Sequence, residues 1–179
     1  MATASTLKLE PATLEDVPAI TELWFAAFTD PDMQHLFPNT PAMRQWWTDA
    51  NRNDMINKPF QKYIKVVDTQ STDEQGRPRL VAYAKWDTSR LSDRGRRYPA
   101  WHESQPGDEY LDMLGTHPDY RKRGAGSMLV QWGCDLADRE GVAAYVDASK
   151  AGAPLYEKFG FVDHSAPGST SGVASMARK

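Results

Sequence analysis

Residues Arg121 to Gly126 read Arg-Lys-Arg-Gly-Ala-Gly, and an apolar-periodic segment begins directly after them. Cations running into closely spaced glycines at the start of a helix are suited to holding an anion. The first backbone N–H groups of a helix have no partner inside it, and the macrodipole places partial positive charge at the same end. Glycine lets the backbone approach a ligand closely and adopt positive φ. Phosphate is the anion such a turn takes most readily. Two familiar phosphate patterns fail letter by letter. The Walker turn and the dinucleotide fingerprint both need a glycine where this chain has Leu129, and the fingerprint belongs near the first strand of a βαβ unit. What remains is Arg121-x-x-Gly124-x-Gly126 after Thr116-His117-Pro118, late in the chain. The alternative is a helix start with ordinary solvated cations.

The elements that must position this turn follow from periodicity. Thr6–Thr13 alternates as a first strand and is halted by Pro11. The next stretch reads as a helix with Thr13 as N-cap, its apolar face formed by Val17, Ile20, Leu23, Trp24, Ala27 and Phe28. A loop with Pro31, Pro38 and Pro41 leads to a second helix over Ala42–Asn57. Strands are expected at Gln61–Asp68 and Arg79–Asp87, joined by a long polar hairpin connection. Residues 88–107 show no periodicity and read as an inserted loop. The segment "DEYLDMLGTHP" is a strand, "GAGSMLVQWGCDLADREG" a helix with Gly141 as C-cap, and "VAAYVDAS" another strand. A short helix in "AGAPLYEKFGF" ends at Gly160 and enters a last strand from Phe161. The order β-α-α-β-β-β-α-β-α-β describes an α/β chain in which a mostly antiparallel meander feeds one parallel crossover.

Composition narrows the partners. A chain of 179 residues has the length of one domain, 1–179, and its six tryptophans argue for a packed core. A net charge of −3 supplies no basic field for a nucleic-acid backbone. No apolar run reaches the roughly 20 residues of a membrane span. The opening "MATASTLKLEP" has neither an apolar signal core nor a basic amphipathic stretch. Cys134 is the only cysteine, which leaves no disulfide framework and no thiolate metal site. A soluble cytoplasmic protein, monomer or homodimer, is the expectation, with no metal, no nucleic acid and no membrane.

A second motif joins the first. About 30 residues after the glycine turn the chain reads Tyr156-Glu157-Lys158-Phe159-Gly160-Phe161. Together, "LDMLGTHPDYRKRGAGSML" and "PLYEKFGF" make Leu111–Phe161 resemble the GNAT superfamily of acyl-CoA-dependent N-acetyltransferases. The resemblance implies a mixed, mostly antiparallel central sheet with one splayed parallel strand pair and helices on both faces. It places the cofactor-binding core at about 109–161 and the acceptor-shaping segments at about 14–58 and 88–107. The implied anion is the pyrophosphate of acetyl-CoA. It would be cradled by backbone N–H groups of Lys122, Gly124, Ala125, Gly126 and Ser127, with charge added by Arg121 and Arg123. The pantetheine arm would pair with backbone at Leu114 and Thr116, and an N–H near Met113 or Leu114 would polarise the thioester carbonyl. Many relatives bond that arm through an Asn after the parallel strand, and this chain offers Ser149 there. Gly115 is either a bulge that opens the sheet or a site that relieves crowding.

The implied chemistry is acetyl transfer to a primary amine by direct attack in a ternary complex. Amide formation releases a proton from the amine and delivers one to the departing thiolate. The resemblance makes Tyr156 the acid, the alternative being a core tyrosine. Strand alternation puts Tyr110, Asp112, Leu114 and Thr116 on one face. Asp112, a carboxylate in an apolar strand, is the candidate base beside two alternatives: ordered water, or an Asp112 that is merely solvated or salt-bridged. Glu109, His102 and Glu103 stand in reserve. His117 is a corner residue and Cys134 a core residue.

On the acceptor side, Trp24, Phe25, Phe28, Phe37, Trp46, Trp47 and Trp101 concentrate in the first helices and the inserted loop. An aromatic stripe at helical spacing is usually core. Trp24, Phe28 and Trp101 are the candidates for an apolar acceptor pocket, with the Arg90–Arg97 cluster and Trp101-His102-Glu103 as lid. A small-molecule amine is the expected substrate. A protein or peptide N-acetyltransferase and a non-catalytic acyl-CoA sensor are the alternatives.

Overall fold

The computed structural model describes residues 5–90, 109–165 and 172–179. Strand β1 (Leu7–Pro11) runs into a 3-10 turn at Leu14–Asp16 and helix α1 (Val17–Ala27). Thr13 begins that turn, and its N–H donates to Asp16 Oδ2 at 2.7 Å. Helix α2 (Pro31–Leu36) and helix α3 (Pro41–Asn57) follow. Strands β2 (Gln61–Thr72), β3 (Pro78–Asp87) and β4 (Glu109–Thr116) come next. A 3-10 turn at Pro118–Tyr120 leads to helix α4 (Ala125–Glu140), strand β5 (Ala144–Ser149) and helix α5 (Ala153–Glu157). Two short strands, β6 (Val162–Asp163) and β7 (Val173–Arg178), complete the order.

The strands form one seven-stranded sheet ordered β1-β2-β3-β4-β5-β7-β6. β1–β2, β5–β7 and β6–β7 are antiparallel, while β4 and β5 are parallel. The mixed sheet is therefore the one anticipated. The parallel ladder covers only Glu109–Leu111 against Ala144–Val146, although β4 runs on to Thr116 and β5 to Ser149.

Two elements go beyond the sequence reading. The proline-containing loop holds α2, whose start is a standard one: Pro31 stands in the first turn and Asp30 Oδ1 accepts from Met33 N at 3.0 Å. At the far end β7 inserts between β5 and β6, so the strand expected from Phe161 is only the two-residue edge.

The chain divides into two compact units, residues 1–84 with 113–129, and residues 85–112 with 130–179. In the first, Ile20, Leu23, Trp24 and Phe25 of α1 pack with Tyr63 and Tyr83, and Met113 lies against them. The apolar stripe of α1 read from the sequence is thus the core-facing one. In the second, α4 crosses Trp86 at Gly133. A Cβ at Gly133 would stand 2.1 Å from the Trp86 ring, so only glycine permits this approach.

Candidate active site

The glycine turn belongs to the first unit. After β4, His117 N donates to Val81 O at 2.8 Å and starts the Pro118–Tyr120 turn, its Nδ1 accepting from Asp119 N at 3.3 Å. Tyr120 is buried and donates through its hydroxyl to Asp68 Oδ2 at 3.0 Å. The Asp68 carboxyl is held below the usual carboxylate range, first by the bond from Gln70 N and further by bonds from Thr6 and Tyr120. Arg121 donates to the carbonyl of Ala27, the last residue of α1, at 2.8 Å. The Arg123 guanidinium lies 4.8 Å from the Tyr120 ring centroid, a cation–π distance. Both arginines are anchored, and both remain exposed.

The backbone then turns out of the ordinary region twice. Lys122 has φ 61° and Gly124 φ 94°. A side chain at Gly124 would meet nothing within 4 Å, so the glycine is required by conformation and not by crowding. Helix α4 begins at Ala125, and Met128 N donates to Gly124 O at 3.0 Å. The N–H groups of Ala125, Gly126 and Ser127 therefore precede the helical ladder. Exposed cations, a left-handed turn and unladdered N–H groups at the start of a 16-residue helix make a chemically competent anion cradle. Left-handed Lys122 was not foreseen, because a lysine there carries no sequence signal for positive φ.

Leading into the turn, Met113, Leu114 and Thr116 are half-buried in β4. Gly115 is buried, and a Cβ there would lie 3.1 Å from Leu23, 3.3 Å from Phe28 and 3.5 Å from Tyr83. Of its two readings, relief of crowding has direct support. The strand is continuous through it.

The second unit holds Asp112, Ser149 and Tyr156. Asp112 Oδ2 is 2.8 Å from Lys85 Nζ, so the carboxylate that looked unexplained in sequence has a cationic partner. That partner sits on another strand, which is why spacing alone did not reveal it. Glu109, held in reserve, is fully buried. Ser149 is exposed, and its Oγ accepts from Gly152 N at 3.1 Å at the entrance to α5. The hydroxyl proton is still available to donate.

Tyr156 is buried, with its ring edge-on to Phe161 at 5.8 Å between centroids. Burial pushes its phenol up to about 12. Cys134 is buried as expected, and burial raises its thiol. A polar group the sequence reading passed over lies on β5 and β7: Tyr145 Oη donates to Asp147 Oδ1 at 2.6 Å, and Ser175 Oγ donates to the same oxygen at 2.9 Å. Alternation within β5 was its only available signal.

The aromatic residues of α1 and α3, with Phe28 and Phe37 just past the ends of α1 and α2, form a continuous cluster in the first unit. Trp24 stacks on Phe28 at 5.2 Å, tilts against Trp47 at 4.2 Å and meets Phe37 edge-on at 5.5 Å. Trp24 is closed to solvent, Phe28 half-buried and Trp46 exposed. Trp101, His102, Glu103 and Arg97 lie outside the described residues. Among the described residues no helix is long and apolar enough to cross a membrane.

Residues 91–163 match the acetyltransferase (GNAT) domain family. The fold is likewise that of solved acetyltransferases. A histone acetyltransferase HPA2 and related acetyltransferase from Corynebacterium glutamicum superposes with a TM-score of 0.65 at 24% identity, covering 96% of this chain and 93% of that one. The PaiA N-acetyltransferase of Thermoplasma acidophilum, solved in complex with coenzyme A, gives 0.65 at 12% identity, covering 97% and 98%. Among curated proteins, a probable acyltransferase, SID5, of Ajellomyces capsulatus is 33% identical over 61 residues, 34% of this chain. The match spans 45% of that relative's length. The resemblance carried by Arg121–Gly126 and Tyr156–Phe161 holds: this is a GNAT-fold chain with a GNAT domain signature over 91–163.

Proposed function

We propose that the protein is an acetyl-CoA-dependent N-acetyltransferase acting on a primary amine, with a small molecule as the acceptor. The observation that carries this reading is the glycine turn, where left-handed Lys122 and Gly124 precede the unladdered N–H groups of α4. A pyrophosphate is the anion such a cradle suits, and the coenzyme A complex of the PaiA relative supports the choice of cofactor. Backbone N–H groups of Lys122, Gly124, Ala125, Gly126 and Ser127 bind it, with Arg121 and Arg123 adding charge. Backbone at Leu114 and Thr116, past the last paired residue of the parallel ladder, takes the pantetheine arm together with Ser149, and an N–H near Met113 or Leu114 polarises the thioester carbonyl. The acetyl thioester supplies an activated acyl group.

The residues around it move protons. Asp112 accepts a proton from the attacking amine, and Tyr156 supports the departing sulfur. With its phenol raised to about 12, Tyr156 stays protonated throughout the working range. Complete proton transfer to a thiolate whose acid has a pKa of about 8.5 would run roughly 5 kcal/mol uphill. Tyr156 therefore acts as a hydrogen-bond donor whose bond strengthens as charge builds on sulfur. The Lys85–Asp112 pair favours a second reading for the base, in which an ordered water takes the amine proton and Asp112 is structural. The acceptor is met by Phe28, backed by Trp24, and by Trp101.

Thermal melting with coenzyme A tests the cofactor assignment. A ligand that binds only the native state, at about 100 times its dissociation constant, adds roughly 2.7 kcal/mol. For a chain of this size that is a rise of roughly 5–10 °C. The same experiment on a Gly126→Val variant should show little rise, because a side chain enters the phosphate space. No shift in the wild-type protein removes the reading.

A further inference from the structure

The first unit contains a concave site that plays no part in the proposed chemistry. A half-open cavity of about 720 Å³ lies between α1 and the β2–β3 hairpin. Its size is that of a small-molecule site. One wall is the stripe Pro18, Ala19, Leu23 and Ala26 of α1, and Leu80 adds to this apolar surface. The charged groups in the lining divide into paired and unpaired. Arg77 and Asp73 neutralise each other at 2.9 Å, and Glu22 is held by Arg44 at 2.5 Å. Glu74 stands exposed on the hairpin turn. Arg79 is half-buried and has no ion-pair or hydrogen-bond partner among the described residues. His117 also lines the cavity, and its Nδ1 is occupied as the acceptor from Asp119 N. In the neutral ring Nε2 therefore carries the proton and can donate.

We propose that this cavity binds a small organic carboxylate with an apolar body, and that the bound acid regulates cofactor affinity. Arg79 takes the carboxylate, because a guanidinium presents paired donors matched to two carboxylate oxygens. His117 Nε2–H supplies a further donor. The apolar body lies along Ala19, Leu23, Ala26 and Leu80. Two attachments link the cavity to the glycine turn. His117 both lines it and caps the Pro118–Tyr120 turn. α1 forms its wall and, one residue beyond Ala26, holds Arg121 through the Ala27 carbonyl at 2.8 Å. An acid that fixes α1 and His117 lowers the ordering cost of the turn, so the two ligands favour each other reciprocally. The regulatory half rests on the assignment of that turn to coenzyme A; the binding half does not.

The test uses phenylacetate, phenylacetamide and inorganic phosphate as probes on the whole protein, read by ligand-detected NMR without cofactor. Phenylacetate should bind and the other two should not, since one lacks the charge and the other the apolar body. Arg79→Gln should weaken phenylacetate at least about 10-fold while its melting temperature stays that of the wild type. Absent phenylacetate binding, or equal binding by Arg79→Gln, overturns the site. Calorimetric titration of coenzyme A with and without saturating phenylacetate then reads the coupling, expected at about 5-fold or more. Unchanged coenzyme A affinity in the presence of bound phenylacetate overturns the regulation. If coenzyme A fails to bind at all while phenylacetate binds, the cofactor assignment falls and the carboxylate site stands.

Discussion

Tyr156 is the residue on which the proposed chemistry can be examined most sharply. Replacing it by Phe removes one oxygen from a buried ring, so packing against Phe161 and binding of coenzyme A should persist. Loss of a preorganised donor to developing charge typically costs about 100- to 1,000-fold in kcat. That loss should fall on kcat with KM little changed, which steady-state kinetics will show. Wild-type turnover with chemistry rate-limiting would remove Tyr156 from the mechanism. The raised phenol also predicts an alkaline effect on stability. The folded protein resists ionising Tyr156 until about pH 12, whereas the unfolded chain ionises it near pH 10. Its contribution is therefore complete below about pH 10 and is lost as pH rises toward 12. The loss amounts to about 2–3 kcal/mol, and Tyr156→Phe should flatten that part of a denaturant-midpoint profile. Asp112 has its own variant. If Asp112 is the base, Asp112→Asn should be slow at neutral pH and recover at high pH, where the amine deprotonates unaided. A rate near wild type at every pH assigns the proton to water and leaves Asp112 as the partner of Lys85.

Among the elements, the turn before α4 and the crossing of α4 over β3 make opposite demands on glycine. At Gly124 the space is open and the conformation is the constraint. Gly124→Ala should cost about 1–2 kcal/mol from the left-handed backbone and weaken coenzyme A more than it weakens the fold. At Gly133 the constraint is space. A methyl group would fall inside van der Waals distance of the Trp86 ring, so Gly133→Ala should destabilise by about 1–3 kcal/mol or more. Denaturation curves with and without coenzyme A separate the two effects. An undisturbed Gly133→Ala would contradict the packing of α4 on Trp86. In the aromatic cluster, Trp24→Ala should cost about 3–5 kcal/mol, as expected of a ring closed to solvent, while Phe28→Leu should leave the fold intact and alter acceptor preference. A Phe28→Leu enzyme with an unchanged acceptor profile would place Phe28 in the core alone.

Over the whole molecule, local signals carried far in the sequence and non-local ones did not. The α1 stripe from Val17 to Phe28 and the Gly141 stop depend on neighbours within a turn or two, and both could be read directly. Thr13 instead caps the 3-10 turn at Leu14–Asp16, and α1 itself has Asp16 as its N-cap residue. α2 was readable in principle from Asp30-Pro31 but was masked by three prolines in one loop. β7 escaped because its partner β5 lies some 25 residues away, and nothing in Val173–Arg178 announces insertion between two earlier strands. The same reason hid the Lys85–Asp112 pair and the Tyr145–Asp147–Ser175 bonds. The glycine turn was the clearest part of the site because its constraint is backbone conformation, which glycine reports in sequence.

Transfer of an acetyl group to an amine can be measured as thiol release from acetyl-CoA across a broad panel of primary amines. The panel should span aliphatic, aromatic and amino-acid amines, with peptide N-termini and lysine peptides as the comparison set. Amine-dependent, saturable thiol release is expected with one or more small-molecule amines, matched by acetylated product and largely absent in Tyr156→Phe. Binding of acetyl-CoA with no amine-dependent release from any member of either set would contradict it and leave a sensor in place of an enzyme.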